Sequence, residues 1–138
     1  MVVTGEINLR TQGDGDIQDI TAKIEKQVLD SQLTSGMVTV FVAGSTAGIT
    51  TIEYEPGLVS DLHSLFEKIA PKNIPYGHNA RWEDGNGFSH VRASLLGASP
   101  TVPFSDRKML LGTWQQIVLV EFDNRPRQRT IVVQIMGE

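Results

Sequence analysis

Two histidines, an acidic run between them and three closely spaced arginines are the side chains in this sequence best suited to acid–base or ligand chemistry. His78 and His90 flank Glu83, Asp84 and Asn86. Two imidazoles with carboxylates nearby suit a zinc-like divalent cation, and a neutral imidazole serves equally as a general base. The separation from 78 to 90 matches none of the tight ligand spacings, so ordinary hydrogen-bonded loop histidines are the competing reading. The third histidine, His63, lies away from the centre of an apolar helical stripe and reads as a surface residue. Arg125, Arg127 and Arg129 surround Pro126. They are either the solvated end of a hairpin or a grip for phosphate or carboxylate, whose oxygens guanidinium forks match.

Further carboxylates sit in apolar patterns where a charge needs a partner. Asp61 borders the stripe of a helix and reads as a helix-edge ion pair or as a supporting or base carboxylate. Glu53 lies near the end of a β-type run. Glu121 lies inside Ile117–Phe122, so it either faces solvent by alternation or points into a pocket. Gly44-Ser45-Thr46-Ala47-Gly48 could present backbone N–H groups and hydroxyls to an anion. It lacks the closing Gly-Lys-Ser/Thr of a P-loop. No Gly-x-Ser-x-Gly elbow and no dinucleotide-type glycine fingerprint is present. The absence of cysteine excludes disulfides, thiolate metal sites and cysteine nucleophiles.

The elements that must hold these residues are legible in the periodicity. Residues 2–11 read as a strand, and Gly13–Asp16 as a turn. Asp16 caps an expected helix with Ile17, Ile20, Ile24 and Val28 on one face, closed by Gly36. Residues 37–42 and 48–54 read as short strands. Pro56-Gly57 precedes a second helix with Leu58, Leu62, Leu65, Phe66 and Ile69 on its stripe. Residues 71–87 read as a long loop of the kind that carries function. A short helix over 88–96 follows, with Asn86 as cap and Gly97 as terminator. Phe88, Val91 and Leu95 are its expected apolar side, with His90, Ala93 and Ser94 opposite. Residues 112–122 and 128–136 are strong strands, expected to pair as a hairpin through 123–127. Strands in adjacent pairs predict an α+β domain with a mostly antiparallel sheet or sandwich and about three helices.

With 138 residues and 40% hydrophobic content, the chain fits one domain over 1–138 with its own core. A net charge of −4 argues against general nucleic-acid binding. No apolar run approaches the roughly 20 residues that span a bilayer, and no signal peptide is visible, so a cytoplasmic protein is expected.

Several blocks in one order are more specific than any alone. They are Tyr76-Gly77-His78, Glu83-Asp84-Gly85-Asn86-Gly87 leading to His90, Ser94–Ser99, Leu111-Gly112-Thr113-Trp114-Gln115-Gln116-Ile117, Glu121 with Asp123, and Pro126-Arg127-Gln128-Arg129. Together they resemble the YjbQ-like family, the secondary thiamine-phosphate synthase group. Upstream, Ser45–Glu53 resembles the family block His-Thr-Ser-Ala-Gly-Leu-Thr-Ile-Asn-Glu, and Asp61 resembles the acid a few residues into the next helix. Gly44 stands where that block opens with His, and Ile52 replaces its Asn, so a site counting three histidines loses one ligand here.

The resemblance implies a strongly bent sheet and a homotrimer with polar motif residues near subunit contacts. It also implies a weak thiamine-phosphate synthase activity, joining a pyrimidine diphosphate to a thiazole phosphate. On that reading the protein is a metal-assisted enzyme acting on a small phosphorylated or anionic molecule. His78, His90 and Asp84 would hold zinc or magnesium. His78, His90, Glu53 and Asp61 would carry catalysis, and Thr113, Gln115, Asn86, Arg127 and Arg129 would bind substrate. A non-catalytic trimer that binds a small anion or metabolite is the alternative.

Overall fold

A computed structural model describes residues 1–138. Strands β1 (Val2–Thr11), β3 (Gly36–Val42), β5 (Thr101–Ser105), β6 (Lys108–Met109) and β8 (Arg127–Gly137) form one sheet in the order β1-β8-β3-β5-β6. Strands β2 (Ile17–Asp19), β4 (Ala47–Ile52) and β7 (Gln116–Glu121) form a second, in the order β2-β7-β4. All pairings are antiparallel. Helices α1 (Thr21–Asp30), α2 (Pro56–Ile69), α3 (Gly77–Trp82) and α4 (Gly87–Leu96) complete the chain. The α+β class is as the sequence indicates, with four helices in place of about three.

The unbroken apolar run of β7 has a direct structural cause. Ile117 and Leu119 enter the main core with Val38, Val40 and Val42 of β3 and Ile131, Val133 and Ile135 of β8. Val118 and Val120 face the other way, into a second cluster with Phe66 of α2 and Ala93 of α4. A strand buried on both faces has no polar position to alternate with. β1 and β8 each present one face to solvent, and they do alternate. Full burial of each such aliphatic side chain contributes about 1.5–3 kcal/mol.

Several expectations are corrected. β7 and β8 do not form a hairpin: β8 is bounded by β1 and β3, and β7 by β2 and β4, so neither has a free edge for the other. Residues 112–115 stay outside β7. The first helix begins at Thr21, not after Asp16, because Ile17–Asp19 pairs with β7. Asp16 accepts from the Gln12 N–H and from Gln18 Nε2 instead, while Asp19 accepts from the Thr21 N–H. The β5–β6 hairpin has no counterpart in the sequence reading. Its turn residues Asp106 and Arg107 both have positive φ, as a type I′ turn requires, without the usual Asn-Gly signal. The buried side of α4 is also different: Phe88, Ser89, Arg92 and Ala93 are buried, while Val91 and Leu95 are exposed. This helix is weakly amphipathic, and its neighbours decide its orientation.

Leu119→Ala is expected to destabilise the fold by about 2–5 kcal/mol. Val91→Ala on the exposed side of α4 should stay within about 0.5 kcal/mol. Urea unfolding of the two variants separates these outcomes.

Candidate functional site

The site begins at the corner where β7 leaves one sheet and β8 enters the other. Glu121 and Asp123 are fully buried there, and Arg129 is nearly so. Arg129 donates from Nε to Glu121 Oε1 at 2.7 Å and from Nη2 to Glu121 Oε2. Thr11 Oγ1 of β1 donates to Oε1 at 2.7 Å, and the Asp123 N–H donates to Oε2 at 3.1 Å. Every lone-pair direction of this carboxylate is therefore addressed, which a buried charge requires. Asp123 is served likewise by Arg127 Nε at 2.6 Å, Thr46 Oγ1 at 3.2 Å, Asn86 Nδ2 at 3.2 Å and the Asn124 N–H at 2.8 Å. Burial alone would raise its carboxyl, but the hydrogen bonds from Arg127, Asn86 and Asn124 outweigh it and hold Asp123 below the ordinary aspartate range.

Helices α3 and α4 stand over this floor. Tyr76 Oη donates to the Pro71 carbonyl at 2.7 Å, fixing the approach to α3. Asn79 Oδ1 accepts from the Gly87 N–H at 2.8 Å, tying α3 to the start of α4. A β-carbon on Gly87 would lie 2.6 Å from Tyr76 Cβ, so the close approach of the two helices needs glycine there. Between them Glu83 takes a left-handed conformation and Gly85 turns the chain with φ +70. The result places the His78 and His90 rings 4.2 Å apart, tilted by 35°.

Burial lowers the His90 pKa from its ordinary value and the neighbouring His78 lowers it further, against the opposing pull of Asp123 and Asp84. The His90 imidazole is thereby biased toward its neutral form. His78 Nδ1 lies 3.4 Å from Asp84 Oδ1. It is buried without a hydrogen-bond partner, as is Asn86 Oδ1. Buried polar atoms of this kind are uncommon and call for an explanation.

A polar cleft of roughly 380 Å³ opens above the corner, with Trp82 its single hydrophobic lining residue. The structure brings His78, His90, Asp84, Asn86, Arg127 and Arg129 into this one cleft, with Gly44, Ser45 and Thr46 along its far side. Glu53 and Asp61 are exposed on β4's downstream edge and on α2, outside it. Thr113 and Gln115 are exposed in the segment before β7. Gln115 there donates to Thr51 Oγ1 and accepts from the Gly112 N–H. These four expected site residues do not join the cleft of their own chain. Thr46, from the Gly44–Gly48 segment read as a possible anion cradle, lines it, and Asp123, to which the sequence reading gave no site role, lies buried beneath it, bonded to Thr46, Asn86 and Arg127. The available signal was the mirrored spacing Glu121-x-Asp123 and Arg127-x-Arg129. No group of three or more His, Asp or Glu side chains in this chain is arranged to hold a metal ion. His63 donates from Nε2 to the Gly15 carbonyl at 2.7 Å, away from the cleft. No helix is long and apolar enough to cross a membrane.

The family model described as UPF0047 protein YjbQ-like matches residues 5–138. A UPF0047 protein of Methanothermobacter thermautotrophicus is 42% identical over 137 residues, covering 99% of this chain and 94% of its own. The UPF0047 protein YugU of Bacillus subtilis is 32% identical, covering 95% and 97%. Among solved structures, a YbjQ-like protein of unknown function from Sulfolobus solfataricus superposes with a TM-score of 0.95 at 35% identity, covering 100% of this chain and 99% of that one. An uncharacterised conserved protein of the YjbQ/UPF0047 family from Clostridium acetobutylicum gives 0.87 at 36% identity, covering 96% and 99%. The chain belongs to the YjbQ-like UPF0047 family.

Two measurements follow from the geometry. Glu121→Ala strands the Arg129 guanidinium in the interior and is expected to cost about 3–5 kcal/mol in chemical unfolding. On acidification, the unfolded chain protonates its residue 90 imidazole near 6.5 while the folded one resists. Stability should therefore fall first as pH drops below that value. It should fall again below the ordinary aspartate range, as pH passes through the depressed pKa of folded Asp123. In a pH series of thermal unfolding, His90→Gln should remove the first decline and keep the second. An NMR titration of His90 should show a midpoint below that of free imidazole.

Proposed function

We propose that the cleft binds a small phosphorylated molecule and that His90, as a neutral base, moves a proton in a transfer or hydrolysis reaction at it. The observation that carries this reading is the convergence of an imidazole biased toward its neutral form, stacked on a second, with two guanidinium edges in one polar cleft. Arg127 and Arg129 supply donors matched to phosphoryl oxygens. His78 stands beside His90, where it orients the ring and receives or returns a proton.

Charge refines the reading. Glu121 and Asp123 neutralise the two arginines, and Asp84 leaves the cleft one negative charge over when both histidines are neutral. Anion binding then relies on short-range N–H donors, and it strengthens when a histidine takes a proton or a cation enters with the ligand. This favours divalent-cation assistance by zinc or magnesium as the second reading. The donors would be His78, His90 and Asp84, completed by oxygens from the ligand or from another subunit. The coupling of a pyrimidine diphosphate to a thiazole phosphate is one transfer of this class. Homotrimeric assembly belongs to the same reading: Trp114, 72% exposed, and Leu110, 61% exposed, flank Thr113 and form an apolar surface suited to a subunit contact.

The test is diphosphate and phosphate release from a panel of phosphorylated metabolites, including the pyrimidine–thiazole pair, in chelator and with added zinc or magnesium. His90→Gln should lower turnover by about 10²–10⁴-fold with the oligomeric state and melting temperature retained. Turnover equal to wild type would sink the proposal. A ligand retained in native mass spectrometry without any turnover would establish the non-catalytic alternative instead.

A further inference from the structure

We infer that the ligand's terminal oxyanion, a phosphoryl monoester or a carboxylate, seats on the Nη1 edge of Arg129, and that Gly44 is the specificity-determining residue that admits it. This rests on the cleft being an anion site and identifies which group of the ligand enters first. Arg129 is only 7% exposed, yet it lines the cleft. Its Nε and Nη2 are engaged by Glu121 and Thr46, and its hydrogen bonds within the protein leave Nη1 out. A guanidinium locked along one edge cannot swing away, so the remaining edge is a rigid donor with a set direction.

Gly44 is what lies across from that edge. A β-carbon at this position would stand 2.7 Å from Arg129 Nη1, and the next atom it would meet is Cζ of the same guanidinium, at 3.9 Å. With glycine at this position no side chain crowds Nη1, in the cleft that both residues line. Its φ of +127 is a conformation that residues with side chains rarely adopt, so a side chain placed here would be strained as well as crowded. Arg127 is held more lightly, by a single bond from its Nε to Asp123 Oδ2. Two anchored guanidiniums therefore present outward edges to one cleft.

Because their charges are already matched by Glu121 and Asp123, discrimination comes from donor direction and room, not from net positive charge. The clearance over Gly44 suits a small terminal group. A phosphodiester would have to bring a substituent carbon into the same gap.

The experiment uses the full-length protein labelled with 15N-arginine, with guanidinium resonances followed during titration with inorganic phosphate, acetate and dimethyl phosphate. Phosphate or acetate should shift the Arg129 Nη signals together with those of Arg127, and the tighter of the two identifies the oxyanion class. Dimethyl phosphate should need about tenfold more ligand or fail to shift Arg129. A shift confined to Arg127 would overturn the Arg129 seat while leaving the anion site standing. No shift at either arginine would remove both. Gly44→Ala, with its melting temperature recorded, should lose about tenfold or more in phosphate affinity while Arg127 still responds. Wild-type affinity in that variant would show that Gly44 admits nothing. If the variant fails to fold, the wild-type titration decides alone.

Discussion

The rest of the structure depends on placing two carboxylates without solvent at the corner between the sheets. Glu121 ends β7 in one sheet, Arg129 lies two residues into β8 in the other, and Thr11 reaches in from the end of β1. The ion pairs are nested, Glu121 with Arg129 outside and Asp123 with Arg127 inside. Desolvating such groups costs about as much as their attraction returns, so they are poor sources of net stability. Their consequence is geometric. Each carboxylate must meet all its donors at once, and only one relative placement of β7, β8, β1 and the Thr46 loop achieves that. Thr46 shows the coupling: it accepts from Arg129 Nη2 at 2.6 Å and donates to Asp123 Oδ2.

The cleft inherits its order from that corner. Asn86 is held by Asp123, and Asn86 is the residue from which α4 starts, so the position of His90 traces back to the buried aspartate. His78 arrives separately, on a single short helix pinned by Tyr76 and Asn79. The cleft therefore lies between a floor of charge-assisted hydrogen bonds and two helices joined by a turn through Gly85, with one imidazole on each helix.

The same arginines serve both structure and surface. One edge of each guanidinium belongs to the floor and the other faces the cleft. A cleft with no surplus of positive charge is thus still lined by oriented N–H donors. The same arrangement explains why Arg127 and Arg129 differ from Arg125, which is exposed and remote from both carboxylates' hydrogen bonds.

Periodicity alone determined the long strands, the second helix and the α+β class, because burial of one face leaves its mark at fixed intervals along the chain. Residue types placed His78, Asp84, Asn86, His90, Arg127 and Arg129 among the candidates, and the tertiary structure gathers those six. It leaves Glu53, Asp61, Thr113 and Gln115 outside the cleft of their own chain, since a family block conveys order in sequence but not direction in space. The orientation of α4, the short strands β2, β5 and β6, and the separation of β7 from β8 were decided by partners far away in the chain. Edges already occupied by β2 and β4, or by β1 and β3, forbid the hairpin that local pattern suggests. The role of Glu121 and Asp123 was likewise settled only on folding: a lone acid in an apolar strand is ambiguous until the arginine that meets it has a position.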